Sequence, residues 1–281
     1  MAGIPRLPLK DWIESLESWL ENHFQPLFDV IRTIIGSIVG TFEFVFDVVP
    51  APVLIIMFTI VAYLLGRWKL ALFTLVGFLL IWNLQLWDPT MQTLSLVLTS
   101  ALISIMIGVP VGIWCAQSNA VQSVVTPVLD FMQTMPAFVY LIPAVSFFSL
   151  GVVPGVIASV IFAIPPTIRL TNLGIRQVPK DLAEAADAFG STSSQKLFKL
   201  QLPLAVPTIM AGVNQTIMLS LSMVVIASMI GAQGVGSKVY QAITQVKTGV
   251  GFEAGLAVVI LAIVLDRFTH NFIKKGRGTN A

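Results

Sequence analysis

The sequence predicts an all-α, polytopic integral membrane protein. Of its 281 residues, 56% are apolar and 11% are charged, about half the charge that a soluble domain carries. The charges are also unevenly spread, since Asp88 and Asp130 are the only charged residues between Lys69 and Arg169. No soluble core needs so long an uncharged run, whereas a bilayer imposes one.

The same features exclude several classes of function. With a net charge of +2 and basic residues that occur singly, no basic patch interleaves with aromatics, so no nucleic-acid partner is expected. Cys115 is the single cysteine; it cannot form an internal disulfide, reads as a small buried hydrophobe, and belongs to no Cys/His cluster with metal spacing. His23 and His270 are isolated, and no serine or acid is placed to complete a triad. No catalytic residue and no metal are therefore predicted. The N-terminus has no basic-then-apolar signal-peptide layout, so the chain is expected to be held in the membrane by its own helices.

Residues 1–48 form the first unit. Trp12, Ile13, Leu16, Trp19, Leu20 and Phe24 make one apolar helical face, with Glu14, Glu17 and Glu21 opposite. Further on, Asp29, Arg32, Gly36, Gly40, Glu43 and Asp47 recur at three-to-four spacing. This pattern suits an interfacial helix that touches membrane lipid; a spanning helix whose polar stripe faces other helices is the alternative.

A transmembrane unit follows over residues 49–273, with runs long enough to span at 51–66, 70–87, 93–117, 121–150, 153–172, 205–231 and 250–273. Gly108 and Pro110 are expected to kink the third run, and Pro136 and Pro143 to break or kink the fourth. Trp82, Trp87 and Trp114 are candidate interfacial anchors. Positive charge sets the orientation: Arg67 and Lys69, then Arg176, Lys180, Lys196 and Lys199, then Lys274, Lys275 and Arg277 fall on one side when seven spans are counted, and that side is the cytoplasm. Residues 274–281 are then a cytoplasmic tail, and the N-terminal segment, with Arg6, Lys10 and Arg32, lies outside.

The one sizeable hydrophilic insertion after the N-terminal region is the loop at about 174–203. Pro179 suits a helix start, and Asp181, Glu184 and Asp187 recur every three residues on one face. Leu182, Ala185, Ala186 and Phe189 form an opposite apolar face, small in the middle and bulky at the ends. Gly190 stands where a helix ends in a left-handed residue. Thr192 and Gln195 then read as a capping box for a second helix carrying Leu197, Phe198 and Leu200, with Pro203 closing it before the next span. A mere connector would not need the apolar face, which predicts a protruding helical pair that docks on a partner.

Glu184-Ala185-Ala186, three residues, Gly190, nine residues, Leu200, one residue, and Leu202-Pro203 resemble the EAA loop of prokaryotic ABC-importer permeases. Leu200 in place of isoleucine is the one departure, conservative in size. The resemblance implies a type I importer permease core of the MetI-like kind, in a bacterial cell membrane. It further implies that Leu182, Glu184, Ala185, Ala186, Asp187, Phe189 and Gly190 form the coupling helix and turn seated on a cytoplasmic ABC ATPase subunit, which would bind the ATP and magnesium; no cofactor is expected in this chain. A second copy of the chain and an extracytoplasmic substrate-binding protein are the other implied partners. "DFMQTMPAFVYLIPAVSFFSLG" (130–151) and "LSMVVIASMIGAQGVGSKVYQAI" (221–243) are similar to the permeases of glycine betaine/proline betaine osmoprotectant uptake systems, and the substrate expectation rests on that resemblance alone. Choline, another quaternary amine or an amino acid is the alternative.

"GAQGVGSK" (231–238) has Ser237 ahead of Lys238 and no preceding strand, so it is a glycine-rich exit from a span rather than a phosphate cradle. Asp130 is a carboxylate in a membrane segment, which is costly and marks a cavity or a partner. With Phe131, Pro136, Phe138 and Tyr140 behind it, it is the candidate for the pathway or its gate, against packing for the aromatics and an interfacial acid for Asp130. A secondary transporter would need paired intramembrane charges or ion sites, and an intramembrane enzyme a catalytic pair; the sequence displays neither.

Overall fold

The structure is a computed structural model that describes residues 8–278, with side chains to Phe272. Arg6, Lys274, Lys275 and Arg277, used above for orientation, lie outside the described side chains. Every regular element among the described residues is helical: α1 (Leu9–Val48), α2 (Ala51–Asn83), α3 (Trp87–Gln117), α4 (Asn119–Thr134), a 3-10 turn (Ala137–Tyr140), α5 (Leu141–Phe148), α6 (Val152–Arg176), α7 (Lys180–Ala188), α8 (Ser193–Lys196), a π turn (Leu197–Gln201), α9 (Leu202–Ser228), α10 (Val235–Thr244) and α11 (Thr248–Gly278).

Five helical stretches are long and apolar enough to cross a membrane, and α4 with the 3-10 turn and α5 adds a sixth segment bent by 107°. The first of the five is two helices in one. Arg67 has φ 61° and ψ −166°, and Phe58 and Phe78, which a straight helix would hold about 30 Å apart, pack with ring centroids 5.2 Å apart. The chain therefore folds back at Arg67, in agreement with the charged break between the runs 51–66 and 70–87.

Helices α3, α6 and α9 form the central layer. Their contact faces carry small residues, which let backbones approach where hydrophobic burial alone gives no association between helices in lipid. A Cβ added at Gly112 would lie 2.5 Å from Thr171 Cβ and 2.8 Å from the Ile168 carbonyl. Two buried hydroxyls bridge the central helices: Thr216 donates to the Ala163 carbonyl at 2.8 Å and shares a 2.7 Å hydrogen bond with Thr167, whereas those of Thr74, Ser104, Thr171 and Ser220 have no partner among the described residues. Helix α11 packs on α9 through Asn214, which donates to Asp266 at 2.9 Å and accepts from Thr269.

The packing register sorts the loops into two ends. Gly174 meets Ala205 and Thr208, and Gly66 meets Asn271, so the Arg67 turn, the 177–201 loop and the last turns of α11 gather at one basic end. At the other end α1 touches Phe147, Val153 and the Asp88–Met91 turn, each in the first or last turn of its helix. Ser146 also donates to Glu17. Ile35, Val39 and Phe46 are the buried residues of α1.

Several local expectations are corrected. Gly108 and Pro110 do not break the third run: α3 continues through them to Gln117. The break in the fourth run falls between Thr134 and Ala137, at Pro136, and Pro143 lies within α5. Pro203 does not close the second loop helix: the chain stays helical from Ser193 to Ser228, because the π turn lets Leu202 donate to Leu197 and makes room for a ring that a tight turn would reject. Trp87 is no interfacial anchor; it is buried edge-on against Phe78, whereas Trp82 and Trp114 are exposed.

Candidate functional site

The 177–201 loop is built by local chemistry. Pro179 is the residue just before α7, with extended ψ 130°, one place earlier than a first-turn proline. Asp181 in the first turn complements the helix dipole. The far end is a Schellman motif: Ser191 donates to the Ala186 carbonyl at 3.0 Å and Gly190 to the Asp187 carbonyl at 2.9 Å, with Gly190 at φ +76°. The next residues close a complete capping box, Gln195 N–H donating to Thr192 Oγ1 at 3.3 Å and Thr192 N–H to Gln195 Oε1 at 2.9 Å.

No residue of α7 is buried. Leu182 is 44%, Phe189 90% and Phe198 64% exposed, and Glu184, Ala185 and Asp187 are exposed with them while Ala186 is half-buried. The apolar face predicted for this helix thus points away from its own chain. Beneath it lies a cleft of about 740 Å³ whose walls include Gln117, Arg176, Lys180, Ala183 and Lys196.

Two basic side chains that the sequence offered only as topology markers brace this loop, one within it and one against the bundle. Lys196 reaches back from α8 to Asp187. Arg176 donates from Nη2 to the Cys115 carbonyl at 2.8 Å and from Nε to Asn172 Oδ1 at 2.9 Å, so the base of the loop is tied to the last turn of α3, whose final carbonyls have no partner within the helix. Cys115 itself is buried.

The second candidate group is brought together only in part. Asp130 on α4 pairs with Arg169 Nη2 on α6 at 2.5 Å. Pro136 stands at the elbow, and the buried Tyr140 donates back across it to the Met132 carbonyl. Phe131 and Phe138 are 64% and 53% exposed, and among the described residues no ring pair joins either of them to Tyr140. Arg169 was missed by sequence reasoning; its signal was its status as the next charge after Asp130 in an apolar stretch.

Comparison with known proteins follows this geometry. Residues 108–277 match the family described as binding-protein-dependent transport system inner membrane component. The chain is 59% identical to the glycine betaine/carnitine transport permease protein GbuB of Listeria monocytogenes, over 99% of each chain. It is 58% identical to the glycine betaine transport system permease protein OpuAB of Bacillus subtilis, again over 99% of each. To the glycine betaine/proline betaine transport system permease protein ProW of Escherichia coli it is 49% identical, over 94% of this chain and 74% of that one. Among solved structures, an inward-facing MetNI methionine ABC transporter superposes with a TM-score of 0.61 at 20% identity, covering 66% of this chain and 93% of that one, which establishes the shared fold. Matched by its family model over more than half its length and by relatives end to end, the chain belongs to the binding-protein-dependent transport system inner membrane components: it is a multi-pass cell-membrane permease subunit of an ABC transporter, not itself an enzyme, that works with an ATPase and a substrate-binding protein.

Proposed function

We propose that the chain is the permease of an ATP-driven importer for glycine betaine and related compatible solutes, serving osmoprotection. The observation that carries this reading is end-to-end similarity to permeases whose names all specify glycine betaine, extended by a third over most of its length. Carnitine and proline betaine, which two of these relatives are named for as well, share its chemistry of a quaternary ammonium joined to a carboxylate.

In this reading two copies pair and the pathway runs between them. The exposed face of α7, from Leu182 through Glu184, Ala185, Ala186 and Asp187 to Phe189 and the Gly190 turn, seats on the ATPase, which binds ATP and magnesium. Nucleotide-driven closure of the ATPases draws the two α7 helices together, and the Arg176 tie passes that movement to α3. Asp130, Phe131, Pro136, Phe138 and Tyr140 belong to the pathway and its gate, the bent α4–α5 segment being the element with room to move.

The test is binding-protein-dependent uptake of labelled glycine betaine in vesicles carrying the reconstituted importer, with unlabelled proline betaine, choline and methionine as competitors. ATP-dependent uptake blocked by proline betaine supports the proposal. Uptake blocked by choline or methionine but not by proline betaine overturns the substrate, and uptake without ATP overturns the mechanism.

A further inference from the structure

We propose that Asp130 and Arg169 form a substrate-binding site within the permease itself, one that takes a small zwitterion. The inference rests on the substrate reading above, and its physical basis is the placement of the pair. Arg169 is one heptad before the end of α6, about 10 Å in from the basic end along a helix that crosses the membrane. Charge at that depth is costly against lipid and marks a water-filled path or a protein partner. Yet the two side chains remain open within this chain, at 41% for Arg169 and 59% for Asp130.

The surface around Asp130 has the same character. Ser123, Thr126, Asp130 and Thr134 recur at three-to-four spacing along α4 and are all exposed, so one polar stripe runs the length of this half-span. The opposite side of α4, Val121, Val125, Leu129 and Met132, packs on Ile164 and Ile168 of α6. The stripe therefore lies off the packed core, and in this proposal it lines the path. Arg169 is not saturated by this chain: its Nε is buried and has no hydrogen-bond partner among the described residues.

An ion pair of this kind matches a zwitterion group for group. When the site is empty the two charges neutralise each other, which lets them persist in a span. An arriving solute exchanges one pair for two: its carboxylate takes the planar fork of Nη donors on Arg169, and its quaternary ammonium, which has no N–H to donate, takes the charge of Asp130, next in the chain to the exposed Phe131. Because pairs replace a pair, the exchange is close to balanced, and the site holds its solute weakly enough to release it, as conduction requires. A bare cation or a bare anion breaks the pair and satisfies only one half.

The experiment uses the permease–ATPase complex in lipid nanodiscs without binding protein, with labelled glycine betaine as the probe and choline and acetate as half-ligands. Weak saturable binding is expected, with choline and acetate competing at least tenfold less well than unlabelled glycine betaine, and R169Q and D130N each weakening it at least tenfold. R169K, which keeps charge and pairing but loses the fork, is expected to weaken binding several-fold, and it decides the matter if R169Q fails to copurify with the ATPase. The exchange D130R/R169D preserves a helix-to-helix latch but moves the cation to α4, so it is not expected to restore binding. No saturable binding by the wild type, unchanged binding in the single variants, or full recovery in the exchange overturns the site. Binding-protein-driven uptake by the same preparation separates the two failures: uptake of glycine betaine without nanodisc binding sinks the site alone, whereas no glycine betaine uptake sinks the substrate reading with it.

Discussion

Lys196 Nζ donates to both carboxylate oxygens of Asp187 at 2.7 Å, joining α8 to α7 across the Gly190 turn. The lysine is the more sheltered partner at 24% exposure, the aspartate standing at 54%. The pair makes the two short helices one stiff body although neither is buried deeply enough to be fixed by packing.

For that reason Lys196→Gln should cost little stability and more function. An exposed pair contributes about 0.2–1 kcal/mol, so the unfolding midpoint is expected to move by less than about 4 °C. Solute imported per ATP hydrolysed should fall, and the exchange Asp187→Lys with Lys196→Asp should recover it. An unchanged ratio in the single variant would show that the loop transmits force without this pair.

Gly190→Val places a β-branched residue at φ +76°, a conformation that costs an L-residue about 1–2 kcal/mol. No neighbour lies within 4 Å of a Cβ built there, so the penalty is conformational and local to the turn. Weakened copurification of the ATPase subunit is expected, with the bundle's thermal stability barely moved; Glu184→Lys, on the same exposed face, should weaken copurification with no change of backbone.

Gly112→Ala and Gly40→Ala should act in opposite directions. At Gly112 the added methyl meets Thr171 and the Ile168 carbonyl at 2.5 and 2.8 Å, so α3 must move off α6 at a cost of about 1–3 kcal/mol. At Gly40 nothing lies within 4 Å, and alanine in a helix interior gains about 0.5–1 kcal/mol over glycine. Thermal unfolding in detergent reads both, and equal effects would contradict the close α3–α6 contact.

Burial, and then the nearby charge of Asp47, raise the Glu43 carboxyl above its ordinary 4.5. The folded state therefore favours the protonated acid. The resulting stability is fully present below the unfolded value and is lost as pH rises through the folded one. Glu43→Gln should flatten the decline in stability as pH climbs from the carboxylate range toward neutrality. A variant that declines as steeply as the wild type would place the titrating group elsewhere.

The readings that the sequence supported best are those whose forces act over a few residues. The Schellman end at Gly190 and the Thr192–Gln195 capping box depend on bonds between residues at most five apart, so residue type and spacing specify them. The break between 51–66 and 70–87 was legible because Arg67 and Lys69 interrupt an apolar run. Proline was less dependable: α3 runs on through Pro110, and the π turn carries Pro203 into a continuous helix, although a proline favours a break at either place.

By itself, then, the sequence determined the membrane class, the apolar runs and the protruding helical pair at 179–201, because the cost of placing charge in lipid and the hydrogen-bond needs of helix ends are local and large. The tertiary structure alone decided that the turn at Arg67 sets Phe58 on Phe78, that the break at Pro136 bends by 107°, and which partners Asp130 and Arg176 find. Those partners lie 39 and 61 residues away. Which charge meets which donor at that separation is settled by how α3, α4 and α6 pack, through glycine contacts and the wedge of Leu129 and Ile168, and a linear pattern holds no record of that geometry.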